Sequence, residues 1–207
     1  MKSFIVFCVL IYQAIINSVF AQDVYEQALL LKSNLEHGKN SYKLCAACHL
    51  DNGAGKKNGS FPVIAAQHKS VIIKQLKDIQ YKHRDSPTMY PFSDAKTIGG
   101  VQAIADVAAY IESLPDLGNN GLGSGERLVQ GKALYLNNCT GCHGLDGQGD
   151  AQLTFPRIKS QHYEYLLRQL KWMRDGYRAN SNPDMLDLIK NMSDLELSDL
   201  ADYVSRL

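Results

Sequence analysis

Two pentapeptides constrain this chain more than anything else in it: Cys45-Ala46-Ala47-Cys48-His49 and Cys139-Thr140-Gly141-Cys142-His143. Both have the form C-x-x-C-H, and they lie 94 residues apart in a chain of 207. With five cysteines and six histidines available, random placement yields only about 0.003 copies of such a motif. On one helical turn, thiols three residues apart point the same way, and the imidazole that follows stands beside them. The fold must present two such turns to something that two thiols and an imidazole can hold from one side.

That spacing is the attachment signature of a c-type haem. Each thiol can add across a vinyl group of the porphyrin while the imidazole reaches the iron from the same face. A four-cysteine zinc site is the competing metal reading, but its cysteine pairs normally sit about 15 to 20 residues apart in sequence. A thioredoxin-like dithiol needs a strand before the motif and a βαβ unit around it, and helix-type sequence surrounds both copies. Two disulfides are the default for four cysteines in an exported chain, and the paired C-x-x-C-H arrangement argues against them.

Export is itself expected. Lys2 precedes an apolar run from Phe4 to Ile16 that closes on Val19-Phe20-Ala21, the pattern of a secretory signal over residues 1–21 cleaved after Ala21. The run is short for a membrane span. Its retention is the alternative and would leave the protein peripherally associated with a membrane. Cleavage removes Cys8, an apolar filler of that segment, and places the remainder in the periplasm. The formal charge of the full chain is only +1, which gives no electrostatic case for nucleic acid. A chain that is 45% hydrophobic and 21% charged can build a core, which excludes wholesale disorder.

The motifs head an internal repeat. A shift of 94 residues superimposes Phe61-Pro62 on Phe155-Pro156, Ile64 on Ile158, Gln67-His68 on Gln161-His162 and Gln75-Leu76 on Gln169-Leu170. Gly38-Lys39 and Tyr42 match Gly131-Lys132 and Tyr135 with a slip of one residue. The expected division is a first domain over residues 22–117 and a second over 118–207, joined by a glycine-rich linker at 115–125. Periodicity is helical wherever it is strong, as in Val24, Ala28, Leu31 and Leu35 or Leu197, Leu200, Val204 and Leu207. The fold class is all-α, with each half wrapped around one covalently attached haem.

His49 and His143 supply one axial ligand each, and the opposite ligand decides whether the irons carry electrons or bind substrates. Met89 lies 40 residues after His49 and Met185 lies 42 after His143, each in a proline- or asparagine-containing stretch beyond a helix. His68 and His162 are rivals in perfect repeat register, each opening a helix, and an open site is the third alternative. Met173 is expected on a helix as core, and Met192 at the start of the last helix.

Taken together, these features resemble a dihaem cytochrome c of the cytochrome c4 family, two class I cytochrome c units in tandem. The resemblance covers nearly all of residues 38–207. It implies that the first and last helices of each unit cross at a glycine against an aromatic, pairing Gly38 with Tyr110 and Gly131 with Tyr203. It implies that the carbonyls of Pro62 and Pro156 accept the Nδ1 hydrogen bonds of His49 and His143. It also implies two haems facing each other across a pseudo-twofold interface, where the register-matched Arg84 and Arg178 would pair with propionates or lie as solvated cations. Lys82-His83, in place of Gly176-Tyr177, and the added helix-like residues 23–37 depart from the pattern.

The implied function is a soluble carrier of single electrons holding two haem c groups. It would link a quinol-oxidising complex or dehydrogenase to a terminal oxidase or reductase. A haem-carrying subunit of an enzyme such as a flavocytochrome sulfide dehydrogenase is the alternative. A haem lacking its methionine, acting as a peroxidase or gas-binding centre, is a further one. Donor, acceptor and oligomeric state are not legible in the sequence.

Overall fold

The computed structural model describes residues 23–118 and 120–207. The expected signal segment, with Cys8, lies outside the described residues, as does Asn119 of the linker. The described chain is helical, with one isolated antiparallel bridge between Asp150 and Phe155. No described helix is long and apolar enough to cross a membrane.

The first half is built from α1 (Val24–Leu30), α2 (Leu35–His49), α3 (Lys69–Gln80), a 3-10 turn at Pro87–Met89, α4 (Tyr90–Ser93), α5 (Ala95–Ile98) and α6 (Val101–Ser113). The second comprises α7 (Leu128–Asn138), α8 (Thr140–His143), α9 (Tyr163–Arg174), α10 (Pro183–Ile189) and α11 (Asp194–Val204). The periodicity of Val24 through Leu35 suggests one helix, and the chain instead breaks over Leu31–Asn34. Asn34 is extended and caps α2 by accepting from the His37 N–H at 3.0 Å. Its own N–H is held by Asp106 at 2.7 Å, and Ser33 donates to the Ala105 carbonyl at 3.0 Å. Tertiary anchoring on α6 and an N-cap thus override local helix periodicity.

In each half the motif-bearing helix crosses the closing helix at a glycine. A Cβ on Gly38 would lie 2.2 Å from the Asp106 carbonyl oxygen and 2.9 Å from Tyr110 Cβ. On Gly131 it would lie 2.1 Å from the Asp199 oxygen and 2.9 Å from Tyr203 Cβ. Only glycine lets the backbones approach that closely. Just beyond each crossing a tyrosine pair packs, Tyr42 on Tyr110 at 5.3 Å and Tyr135 on Tyr203 at 5.5 Å between ring centroids. The inner hydroxyls close the motif helix, Tyr42 donating to the Leu50 carbonyl and Tyr135 to that of Gly144. Around these crossings lie two separate cores, Ile73, Ile104, Val107 and Ile111 in the first half, and Leu170, Leu197, Leu200 and Val204 in the second. Each fully buried aliphatic side chain contributes roughly 1.5–3 kcal/mol.

The described residues of the glycine-rich segment between the halves form no helix and lie against the second one. Gly121 donates to His162 Nδ1 at 2.9 Å, Gly125 donates to Asp202 at 2.7 Å, and Arg206 donates to the Gly123 carbonyl at 2.8 Å. A Cβ on Gly123 would meet the Asp202 carboxyl carbon at 2.4 Å. Upstream, Asp116 pairs with Arg157 and Lys159 of the second half. These glycines therefore serve close backbone approach, and the segment is a strap fixed to the surface it crosses.

Candidate haem sites and the interface between them

Cys45, Cys48 and His49 occupy the last turn of α2, where the side chains fall on one face. In the second half the same turn is split off: Cys139 ends α7 and opens α8, and His143 N–H still bonds back to the Cys139 carbonyl at 2.9 Å. Both imidazoles are buried. His49 Nδ1 donates to the Pro62 carbonyl at 3.1 Å, and His143 Nδ1 to that of Pro156 at 2.9 Å. With Nδ1 engaged, Nε2 is the nitrogen left for a metal, and such a bond fixes ring orientation and raises ligand basicity. Burial pushes both histidines below their usual pKa, the proline carbonyls opposing it, which favours the neutral ring, the form that ligates.

None of the four motif cysteines is joined in a disulfide. Burial, with the second cysteine of each pair adding to it, pushes Cys45 and Cys139 up to about 11. That is the opposite of the lowered pKa of a redox dithiol. Among the described residues no three His, Cys, Asp or Glu side chains gather as a metal-ion site. The zinc and thioredoxin-like alternatives therefore find no support in the geometry.

One continuous cavity of about 1070 Å³ is lined by both sets of motif residues. Apolar walls come from Ile72, Leu76, Ile79 and Val107 on one side and from Leu166, Leu170, Leu200 and Val204 on the other. Both sets of cysteines and histidines on its wall and a mainly apolar lining fit two covalently attached macrocycles. Met89 and Met185 both line it. Neither sits in an extended loop: Met89 ends the 3-10 turn, and Met185 lies in the first turn of α10, which Pro183 starts and Asn182 caps. A proline-started short helix fixes φ at its entrance and so carries the thioether on a stiffer support than a loop.

His68 and His162 do not line this cavity. Each stands at the N-terminus of a helix, α3 and α9, and aims Nε2 at a carbonyl of the opposite half. His68 reaches Gln148 at 2.7 Å and His162 reaches Ala54 at 2.8 Å. The geometry thus lends no support to the bis-histidine alternative. His162 is also no surface residue, being only 1% exposed.

Arg84 and Arg178 converge between the motifs. Arg84 donates to Gln75, to the Tyr165 hydroxyl at 2.6 Å and to Gln169 at 3.1 Å. Arg178 donates to the same Gln169 oxygen at 2.8 Å and to Asn180 at 3.1 Å. Burial, with Arg84 close by, pushes Arg178 down to about 10. Burial alone would raise Tyr165, but the facing Arg84 and Arg178 outweigh it and hold the hydroxyl below its usual pKa. Two guanidiniums sharing one neutral amide oxygen leave this cluster short of negative charge, and both line the cavity. Gln169, Tyr165, and the Asn180 to Asp78 bond at 2.7 Å escaped sequence reasoning. The register match of Gln75 and Gln169 on otherwise apolar helix faces is the signal that could have found part of it.

Comparison with known proteins gives a consistent picture. The family model described as Cytochrome c matches residues 35–115 and again 128–207. Cytochrome c4 of Azotobacter vinelandii is 28% identical over 184 residues, spanning 82% of this chain and 87% of that protein. A thiosulfate dehydrogenase electron acceptor of Stutzerimonas stutzeri is 32% identical over 173 residues, spanning 79% and 78%. The crystal structure of reduced recombinant cytochrome c4 from Pseudomonas stutzeri superimposes with a TM-score of 0.73 at 27% identity, covering 85% of this chain and all of that one.

Proposed function

We infer the function from the family: this chain belongs to the cytochrome c family and carries electrons on two covalently bound haem c groups. We propose that it does so in the periplasm, between a dehydrogenase or quinol-oxidising donor and a terminal oxidase or reductase. Residues 1–21 would direct export and be removed after Ala21, and the two haem domains would divide at 117/118. A dehydrogenase as donor is favoured by the relative named as an electron acceptor of thiosulfate dehydrogenase.

Each haem supplies one-electron exchange between ferric and ferrous iron. The protein's part is to hold, bias and shield it. Cys45 with Cys48, and Cys139 with Cys142, would form the thioethers. His49 with Met89, and His143 with Met185, would fill the axial positions, Pro62 and Pro156 orienting the imidazoles. Arg84 and Arg178 would take up propionate charge, which answers the surplus of cation at their cluster. A soft thioether favours ferrous iron, and an apolar cavity penalises the extra charge of the ferric form. Both effects raise the reduction potential. With both histidines and both methionines so engaged, no exchangeable site would be left for a substrate.

The observation that carries this reading is the single cavity that receives both C-x-x-C-H turns and both methionines. Met89→Ala and Met185→Ala test it one haem at a time. Each variant is expected to lower one reduction potential and to let carbon monoxide bind one ferrous haem. If both variants keep the parent spectrum and potentials, the ligand assignment is wrong.

A further inference from the structure

The polar contacts that join the halves are crossed. Gln161 donates from Nε2 to the Val63 carbonyl at 2.8 Å and accepts from the Val63 N–H at 2.9 Å. Gln67 treats Arg157 in the same way, donating at 2.8 Å and accepting at 3.0 Å. Each side-chain amide thus grips a main-chain residue of the other half with two bonds, as a neighbouring strand would.

The peptides gripped are those that orient the proximal histidines. The Pro62 carbonyl, which accepts from His49, and the Val63 N–H, which donates to Gln161, belong to one planar peptide group. The Pro156 carbonyl and the Arg157 N–H form the matching group, held between His143 and Gln67. A hydrogen bond donated from the N–H end polarises the carbonyl at the other end and stops the plane from turning. The chain His49 to Pro62–Val63 to Gln161 therefore runs from the imidazole of one half to an amide of the other, and its mirror image runs back.

Two further features surround these peptides. A Cβ on Gly55 would lie 2.4 Å from the Pro62 oxygen, and one on Gly149 would lie 2.6 Å from that of Pro156. Their loops are the ones His162 and His68 hold across the interface, at Ala54 and Gln148. The residues before the glutamines, Ala66 and Ser160, adopt left-handed φ of 58° and 56° at equivalent positions. Such strain in residues with a Cβ persists only where the surroundings over-determine it. Here Ala66 N–H bonds to the Ile111 carbonyl and Ser160 N–H to that of Leu207.

We propose that the two halves position each other's proximal histidine, Gln161 acting on His49 through the Pro62–Val63 peptide and Gln67 acting on His143 through Pro156–Arg157. The proposal rests on the two-haem reading above and makes both glutamines positioning residues. Loss of the glutamine leaves the carbonyl a weaker, freer acceptor, lowers the basicity of the imidazole it holds and raises the potential of that haem. The effect therefore appears in the half that was not mutated.

The test uses the full haem-loaded protein with Gln161→Leu and Gln67→Leu. In the reduced state the Nδ1 protons of His49 and His143 are assigned from the backbone by NMR, and their exchange with solvent is measured with both reduction potentials. Gln161→Leu is expected to speed exchange at His49 about tenfold and to raise the first haem's potential, leaving His143 at the parent rate. Gln67→Leu is expected to do the converse. An effect in the mutated half, an equal effect in both, or none overturns the proposal. Should the leucine variants not fold, Gln161→Glu and Gln67→Glu keep the accepting oxygen and are expected to leave exchange at the parent rate. Acceleration in either would overturn the proposal equally. The methyl signals of the ligating methionines in the same spectra report on Met89 and Met185 separately, so failure of the ligand assignment is distinguishable from failure of the crossed pattern.

Discussion

The two halves share a register but differ in how they meet the same backbone demands. After its motif the first half turns through Leu50 at φ 65°, where the second uses Gly144 at 77°. After the following helix it turns through Lys82 at 59°, where the second uses Gly176 at 82°. The second half supplies glycine at both left-handed positions, and the first imposes them on residues with a Cβ. The first half has in exchange a brace the second lacks. Tyr25 of α1 is 1% exposed and donates to the Ser93 carbonyl at 2.6 Å, just beyond Met89. Lys77 of α3 pairs with Glu26 at 2.5 Å. Local strain on the methionine side of the first half is thus offset by packing from an added helix.

The largest expected effect strikes what the halves share. Gly131→Ala drives a methyl into the Asp199 carbonyl and should cost about 3 kcal/mol, read as a lower thermal midpoint of the haem-loaded protein, with Gly38→Ala costing a similar amount. Equal tolerance of alanine at both sites would contradict the crossing geometry. Next, Tyr25→Phe leaves the buried Ser93 carbonyl without its donor and should cost about 1–2 kcal/mol. The loss should weaken the methionine absorption of the first haem and spare that of the second. An equal loss at both haems would remove α1 as the source of the asymmetry.

Exchanging the turn residues sharpens the comparison further. Lys82→Gly relieves the left-handed strain and should stabilise the first half by up to about 1 kcal/mol, whereas Gly176→Lys should destabilise the second by about as much. Denaturant midpoints followed at each haem would reveal any deviation from these opposite signs.

The smallest effect is one of pH. Burial, with Lys57 adding to it and the Ala54 carbonyl opposing it, lowers the pKa of His162. The neutral ring donates at Nε2 and accepts from Gly121 at Nδ1, and protonation destroys the second bond. The unfolded chain binds this proton more readily than the folded one. His162 therefore contributes its full stability above the ordinary histidine pKa of about 6.5 and loses it as pH falls through that value toward the depressed one. Urea midpoints should fall more steeply between neutral and mildly acid pH in the parent than in His162→Gln.

Much of this was legible in the sequence because it is local or repeated. The C-x-x-C-H turns, the register and the glycine and tyrosine of each helix crossing are written in short stretches or twice over. What escaped depends on partners about 90 to 100 residues away. Gln67 and Gln161 stood out only as matching letters, because nothing within either half says that their amides close on the other. His68 and His162 looked like rival ligands for the same reason. The break at Leu31–Asn34 was hidden by continuous periodicity, since the pull of Asp106 on Asn34 acts across the fold. Arg84 and Arg178 were visible as a pair, but not the glutamine oxygen they share.

The most direct test of two closed haem sites is optical. In the oxidised protein the weak red band of methionine sulfur on ferric low-spin iron is quantified per haem, and the protein is then reduced and exposed to carbon monoxide. Two methionine equivalents and an unmoved Soret band are expected. One equivalent, or a Soret band that shifts with carbon monoxide, would mean an exchangeable haem and contradict pure electron carriage.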